Sequence, residues 1–248
     1  MLQLKEKSAM TKFQTVLFAL LFFAFSYPIS AQSTLFNVPS TDTLPEGRFY
    51  IEGDFIAKFA KYEKGGFQTY GYRTVYGVKR NLEVGANFFY TRNGGTRNGE
   101  TAPKEFQPNI KFQAYQNEKY GVAISTGAIA FVPLDKSAGT RTYAMLYANG
   151  SKTIKLTKGT RITGGYYTVV GAERDFGTKR GFILGVEQPI RRRLSFIADW
   201  YSGDNRFGYS AAGLNYAITK KQFVLVGYNF GNFGAGNNAF SAFYGFTF

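Results

Sequence analysis

From residue 47 onward, apolar and polar residues alternate with a period of two. In 82–91 the even positions (Leu82, Val84, Ala86, Phe88, Tyr90) are apolar or aromatic, while Glu83, Gly85, Asn87 and Thr91 among the odd ones are small or polar. Ten residues of this alternation predict a strand with one apolar face. Residues 106–115 repeat it, with Phe106, Pro108, Ile110, Phe112 and Ala114 alternating with Gln107, Asn109, Lys111, Gln113 and Tyr115. The last stretch, 239–248, does so again through Phe240, Ala242, Tyr244, Phe246 and Phe248. Twelve such segments are predicted, near 48–58, 67–78, 82–91, 105–115, 120–131, 140–150, 160–170, 179–187, 193–202, 206–217, 221–230 and 239–248. The alternation is poorest at 140–150 and 206–217. Pro108 is a weak point, because proline cannot donate to a ladder. At about 9 to 12 residues each, the segments match tilted membrane-crossing strands better than ordinary globular strands.

The connections alternate too. Short basic ones carry Lys79 and Arg80, Lys119, Lys152 with Lys155 and Lys158, Arg191 to Arg193, and Lys220 with Lys221. The other six are mostly longer and richer in Gly and Asn, the longest being 92–104. Five short turns and six loops are what twelve antiparallel strands require when both termini share one end. The pair Gly203-Asp204 reads as a tight turn and 231–238 as a Gly-rich loop.

Residues 1–31 read as a secretory signal peptide. Lys5, Lys7 and Lys12 precede an apolar run at 16–25, and Ser30-Ala31 offers a small-residue cleavage site. The run is too short to cross a bilayer as a helix, and no later stretch is long enough either. Residues 32–46 are then a short periplasmic segment and 47–248 an all-β antiparallel barrel. The whole chain carries +14. Removing 1–31 takes away three Lys and one Glu and leaves +12.

This combination resembles the outer-membrane β-barrels of Gram-negative bacteria, porins and channels in particular. The resemblance covers residues 47–248. It implies an up-and-down transmembrane barrel in the cell outer membrane with both termini periplasmic. It also implies outer-membrane lipid as surroundings, and the barrel assembly machinery as a partner reading a C-terminal aromatic signal, here Tyr244, Phe246 and Phe248. An apolar outer face is stable in lipid, and closure leaves no unpaired strand edge.

The less apolar face carries charge that lipid would not tolerate, so these side chains are expected to point inward. They are Glu52, Asp54 and Lys58 on strand one, Arg73 on strand two, Glu83 on strand three and Lys111 on strand four. Arg161, Glu187 and Asp199 follow on later strands. Folding the first hairpin places Glu52 opposite Arg73, and the hairpin of strands three and four sets Lys111 diagonal to Glu83. Such a set is either a charged constriction that selects solutes or an ion-pair network that stiffens the barrel. Twelve strands give a backbone diameter of roughly 24 Å and an opening of roughly 10 Å. Tyr115, Tyr167, Tyr201 and Phe243 are expected to crowd that opening. No segment is long enough for a plug domain.

The chain has no Cys and no His. That excludes disulfides, thiolate metal sites and the Ser-His-Asp triad. Barrel enzymes that cleave lipids or peptides resemble one another in using an essential His, so no catalysis is expected, although Glu52 and Asp54 form a carboxylate pair. No cofactor or metal motif is present, and an exported barrel is a poor candidate for nucleic-acid binding despite its basic charge. The basic turns would meet anionic headgroups or simply solubilise their end. Three functions remain: a narrow channel for ions or small solutes, a non-conducting structural or interaction barrel in a larger envelope assembly, and a carrier of a small hydrophobic compound. Inward Ile129, Phe131 and Val169 hint at the third.

Overall fold

The computed structural model describes residues 34–92, 103–135, 141–234 and 236–248. The signal peptide and most of the longest loop lie outside the described residues. Twelve strands form one closed antiparallel barrel in sequence order: β1 (Phe49–Lys58), β2 (Phe67–Lys79), β3 (Leu82–Arg92), β4 (Lys104–Asn117), β5 (Val122–Pro133), β6 (Tyr143–Ile154), β7 (Thr160–Val170), β8 (Arg180–Arg191), β9 (Leu194–Tyr201), β10 (Tyr209–Ala217), β11 (Gln222–Gly231) and β12 (Ala239–Thr247). β12 closes on β1 with Glu52 opposite Gly245.

The alternation sorts side chains to two environments. Tyr72, Phe88, Ile110, Leu184 and Leu214 are exposed on the outside, where hydrocarbon covers them, while Glu52, Asn87, Ser125, Ile183 and Leu225 are buried within. Both weak segments form strands. In β6, Tyr143, Met145, Tyr147 and Asn149 are buried and Leu146 is exposed. β10 starts three residues later than the pattern predicted, and 202–208 form an inward-folded loop rather than only a tight turn at Gly203-Asp204. Pro108 is accommodated by a break in the ladder: β4 pairs with β5 at Phe106↔Val132 and next at Asn109↔Ile129. A position without that pairing needs no N–H.

Two expectations are corrected. Tyr115 does not crowd the lumen. A register shift between Gln113 and Tyr115 turns it outward, where it is 47% exposed. One bulge inverts the side-chain phase beyond it. Lys111 is not diagonal to Glu83 but directly opposite it.

The larger departure is at the N-terminus. Sequence reading places 32–46 in the periplasm ahead of the barrel. Residues 34–44 instead run through the lumen as a strap, with Leu35, Phe36, Val38 and Leu44 buried. Its tip folds back on itself through the bridge Thr34↔Pro39 and a Leu35 N–H bond to the Val38 carbonyl at 2.8 Å. The strap needs the barrel to shield its apolar side chains, and the inner wall needs it for hydrogen bonds.

Candidate functional site

The inner wall carries polar groups at alternate positions of most strands, and the strap answers many of them. Near the short-turn end Glu83 accepts from the Leu44 N–H at 2.6 Å and pairs with Lys111 at 2.8 Å. Lys111 also donates to the Asp42 carbonyl at 2.7 Å. Gln113 donates to the Thr41 carbonyl at 2.8 Å, and the Thr41 and Ser151 hydroxyls meet at 2.7 Å. Arg161 grips the Asp42 carboxylate, with one bond at 2.8 Å, and stands 3.9 Å from Glu187. Burial raises the Asp42 pKa, but the hydrogen bond and charge of Arg161, with the charge of Lys111, outweigh it and hold the group below its ordinary value.

The tip is held differently. Asp199 on β9 accepts three backbone N–H bonds at one oxygen, from Phe36 (3.0 Å), Asn37 (2.7 Å) and Val38 (2.8 Å). Its register neighbours are Gly185 and Ala211, neither of them a base. Three consecutive N–H groups converging on one carboxylate form a nest, which favours an anion. The strap side chains sit in a slot made by glycine. A Cβ on Gly185 would lie 2.7 Å from Leu35, and one on Gly213 would lie 2.7 Å from the Phe36 ring. On the far side Phe36 meets Phe243 edge-on at 6.0 Å.

In mid-barrel Glu52 faces Arg73 in the predicted register. Arg73 bonds Asp54 at 2.6 Å, lies 3.4 Å from Glu52, and reaches the strap at Thr34 (3.4 Å). Of the nine inward candidates, Lys58 lines the cavity at the rim of β1, and the other eight, Glu52, Asp54, Arg73, Glu83, Lys111, Arg161, Glu187 and Asp199, lie inside the barrel. They form four local groups rather than one ring. Tyr167, Tyr201 and Phe243 are buried there as expected, with Val169 beside them.

Toward the long-loop end a second crossing lies above the strap. Arg206, from the 202–208 loop, reaches across to Glu105 on β4 with two bonds at 2.8 and 3.1 Å, and to the Tyr143 hydroxyl at 2.6 Å. Its guanidinium lies over Phe131 (5.1 Å) and Phe207 (5.4 Å). Asn237 of the β11–β12 loop ties this loop down through the Asn205 carbonyl at 3.0 Å. Sequence reading missed Arg206 because 206–217 was assigned to strand. It missed Asp42 because the strap was placed outside. Glu105 was missed as well, although its parity, shared with Gln107, Asn109 and Lys111, marks it as inward.

On the long-loop side of the strap, and lined in part by Arg206 and Phe207, is a cavity of about 470 Å³. It extends from the strap, at Asn37 and Pro39, to the long-loop rim at Tyr62 and Gly65. At the other end of the chain, Tyr244 and Phe248 are half exposed on the outer face, and Phe246 meets Phe248 edge-on at 4.4 Å.

No known protein family matches the chain by sequence, and no curated protein does. Solved structures share its fold. The NanC porin superposes with a TM-score of 0.53 at 11% identity, covering 80% of this chain and 98% of that one. Outer membrane protein Omp33 of Acinetobacter baumannii gives 0.46 at 14% identity over 82% of this chain and 99% of its own. Outer membrane phospholipase A of Escherichia coli gives 0.45 at 13% identity over 82% and 92%. The chain thus has the fold of an outer-membrane β-barrel, and at these identities the likeness is one of fold.

Proposed function

We propose that this outer-membrane barrel is a narrow channel or transporter for small solutes, closed at rest by its own residues 34–44. The observation that carries this reading is the cavity of about 470 Å³ inside the lumen, bounded at one end by the strap. A barrel with a purely structural task has no need of an internal chamber. The strap runs into β1 through residues 45–48 and is held in the lumen by hydrogen bonds and ion pairs to β2, β3, β4, β6, β7 and β9, so it can move without breaking the barrel wall. Glu83, Lys111, Arg161 and Asp199 then act as anchors of the closed state. Arg73 with Glu52 and Asp54 lines the path above them.

In this reading the short-turn end and both termini are periplasmic, the barrel assembly machinery recognises Tyr244, Phe246 and Phe248, and the basic turns face the inner leaflet of lipid. A catalytic role finds less support, since the chain has no His and Glu52 and Asp54 both face Arg73. The second reading, a non-conducting interaction barrel, is favoured by the strap itself, which fills the short-turn half of the lumen. Planar-bilayer recording of the refolded chain separates the two. Brief, infrequent steps in the wild type and a much larger open fraction in Asp199→Ala are expected. A folded barrel silent in both forms contradicts the channel reading.

A further inference from the structure

Resting on the reading of the lumen as a solute path, we infer that its cavity is a binding site for a neutral, hydroxyl-rich solute with an apolar face, a mono- or disaccharide in chemical class. Charge decides first. Three of the four lining bases are already held by carboxylates: Arg73 by Asp54 (2.6 Å), Lys111 by Glu83 (2.8 Å) and Arg206 by Glu105 (2.8 Å). The fourth, Lys58, ends β1 at the rim. An anionic solute entering the chamber would lose its water and find those three cations already committed.

The uncharged walls are of two kinds. On β2, β3 and β4 the hydroxyls and amides of Thr69, Thr91, Asn87, Gln107 and Asn109 line it, beside the apolar Phe67, Val75 and Phe89. These amides form a chain with slack in it. Asn87 donates to Gln107 at 3.4 Å, and Asn109 donates to Asn87 at 3.5 Å and to the Gln107 carbonyl at 3.3 Å. Gln107 also donates to Glu105 at 2.6 Å, but the long bonds of Asn87 and Asn109 leave donor and acceptor capacity, because an amide offers two N–H groups and a carbonyl oxygen with two lone pairs. A ligand hydroxyl both donates and accepts, so it can complete them. On β5, β6, β10 and the 202–208 loop the uncharged lining is apolar and mostly aromatic: Phe131, Tyr147, Tyr209 and Phe207, with Ile129 and Met145. An apolar C–H face of a pyranose ring packs on such rings. A hydrocarbon would suit the aromatic wall but strip water from the amides without replacing it. The volume is in the range of small-molecule sites.

The test is isothermal titration calorimetry on the full barrel refolded in detergent, with sucrose, glucose 6-phosphate, spermidine and toluene as probes. Saturable heat is expected for sucrose and for none of the others. Asn109→Ala and Phe207→Ala should each weaken sucrose binding about tenfold, while the heat-modifiable gel shift shows the barrel intact. Tighter binding of glucose 6-phosphate, spermidine or toluene, or no sucrose binding up to 100 mM, overturns the assignment. Calorimetry reports binding whether or not the barrel conducts. Sucrose binding in a barrel that never conducts therefore contradicts the solute path alone. Conductance without sucrose binding contradicts the ligand alone.

Discussion

Asp199 is the single group whose removal should most directly release the strap. Its Oδ2 takes three N–H bonds at 2.7 to 3.0 Å, and among the described residues its buried Oδ1 has no hydrogen-bond partner. The strap therefore supplies the hydrogen bonds this carboxylate makes. In Asp199→Ala a seated strap would bury three N–H groups with nothing to bond, whereas a displaced strap gives them to water. Hydrogen bonds to a charged acceptor contribute about 1.5–3 kcal/mol each, and three at one oxygen do not simply add. Burying the carboxylate also costs energy that the variant no longer bears. A net loss of about 3 kcal/mol is the working figure, a roughly hundredfold rise in the displaced population at about 1.4 kcal/mol per decade. The assay uses the absence of native Cys. Ser40→Cys puts a unique thiol on the buried strap, and its rate of labelling by a water-soluble maleimide follows the displaced population. Labelling should rise about a hundredfold in Asp199→Ala and by much less in Asp199→Asn, which keeps a neutral acceptor. An unchanged rate in both refutes the latch.

Three further outcomes are expected. Gly185→Leu should raise the same labelling rate with the gel shift unchanged, because its new side chain meets Leu35 while the nearest backbone atom lies 3.7 Å from a Cβ there. Arg206→Ala should destabilise the barrel by about 3–5 kcal/mol, since it leaves the buried Glu105 carboxylate with the Gln107 amide at 2.6 Å but without its counter-charge; a urea midpoint checks this. The Asp42 anchor of the strap should respond to acid only at low pH. Asp42 has a depressed pKa, so its contribution is complete above the unfolded value of about 4 and disappears as pH falls through the lower folded value. As that contribution disappears, open fraction in bilayers should rise below about pH 4, and Asp42→Asn should open more at pH 7.

The strands were legible because a wall between lipid and a polar interior forces a period of two along every crossing. The same logic made Glu52 and Arg73 legible as a cross-strand pair. Tyr115 was not, because a bulge at Gln113/Tyr115 leaves no periodic trace. The strap was illegible for a different reason. Residues 34–44 mix Leu35, Phe36 and Val38 with Ser, Thr and Asn in no regular period, and their partners are far along the chain. The traces were indirect: Asp199 has no base beside it in register, and Gly185, Gly213 and Gly227 leave a slot in an otherwise filled wall. Neither trace names its occupant without coordinates.

The most direct measurement of whether the strap closes a solute path is a reversible staple. The Thr41 and Ser151 hydroxyls already meet at 2.7 Å, and replacing both residues with Cys in a chain that has none allows one disulfide between strap and wall. Bilayer recordings of the oxidised protein should show no steps, and adding reductant to the same membrane should bring them on. Equal conductance before and after reduction, or silence throughout in a folded barrel with the disulfide verified and then reduced, would contradict the account.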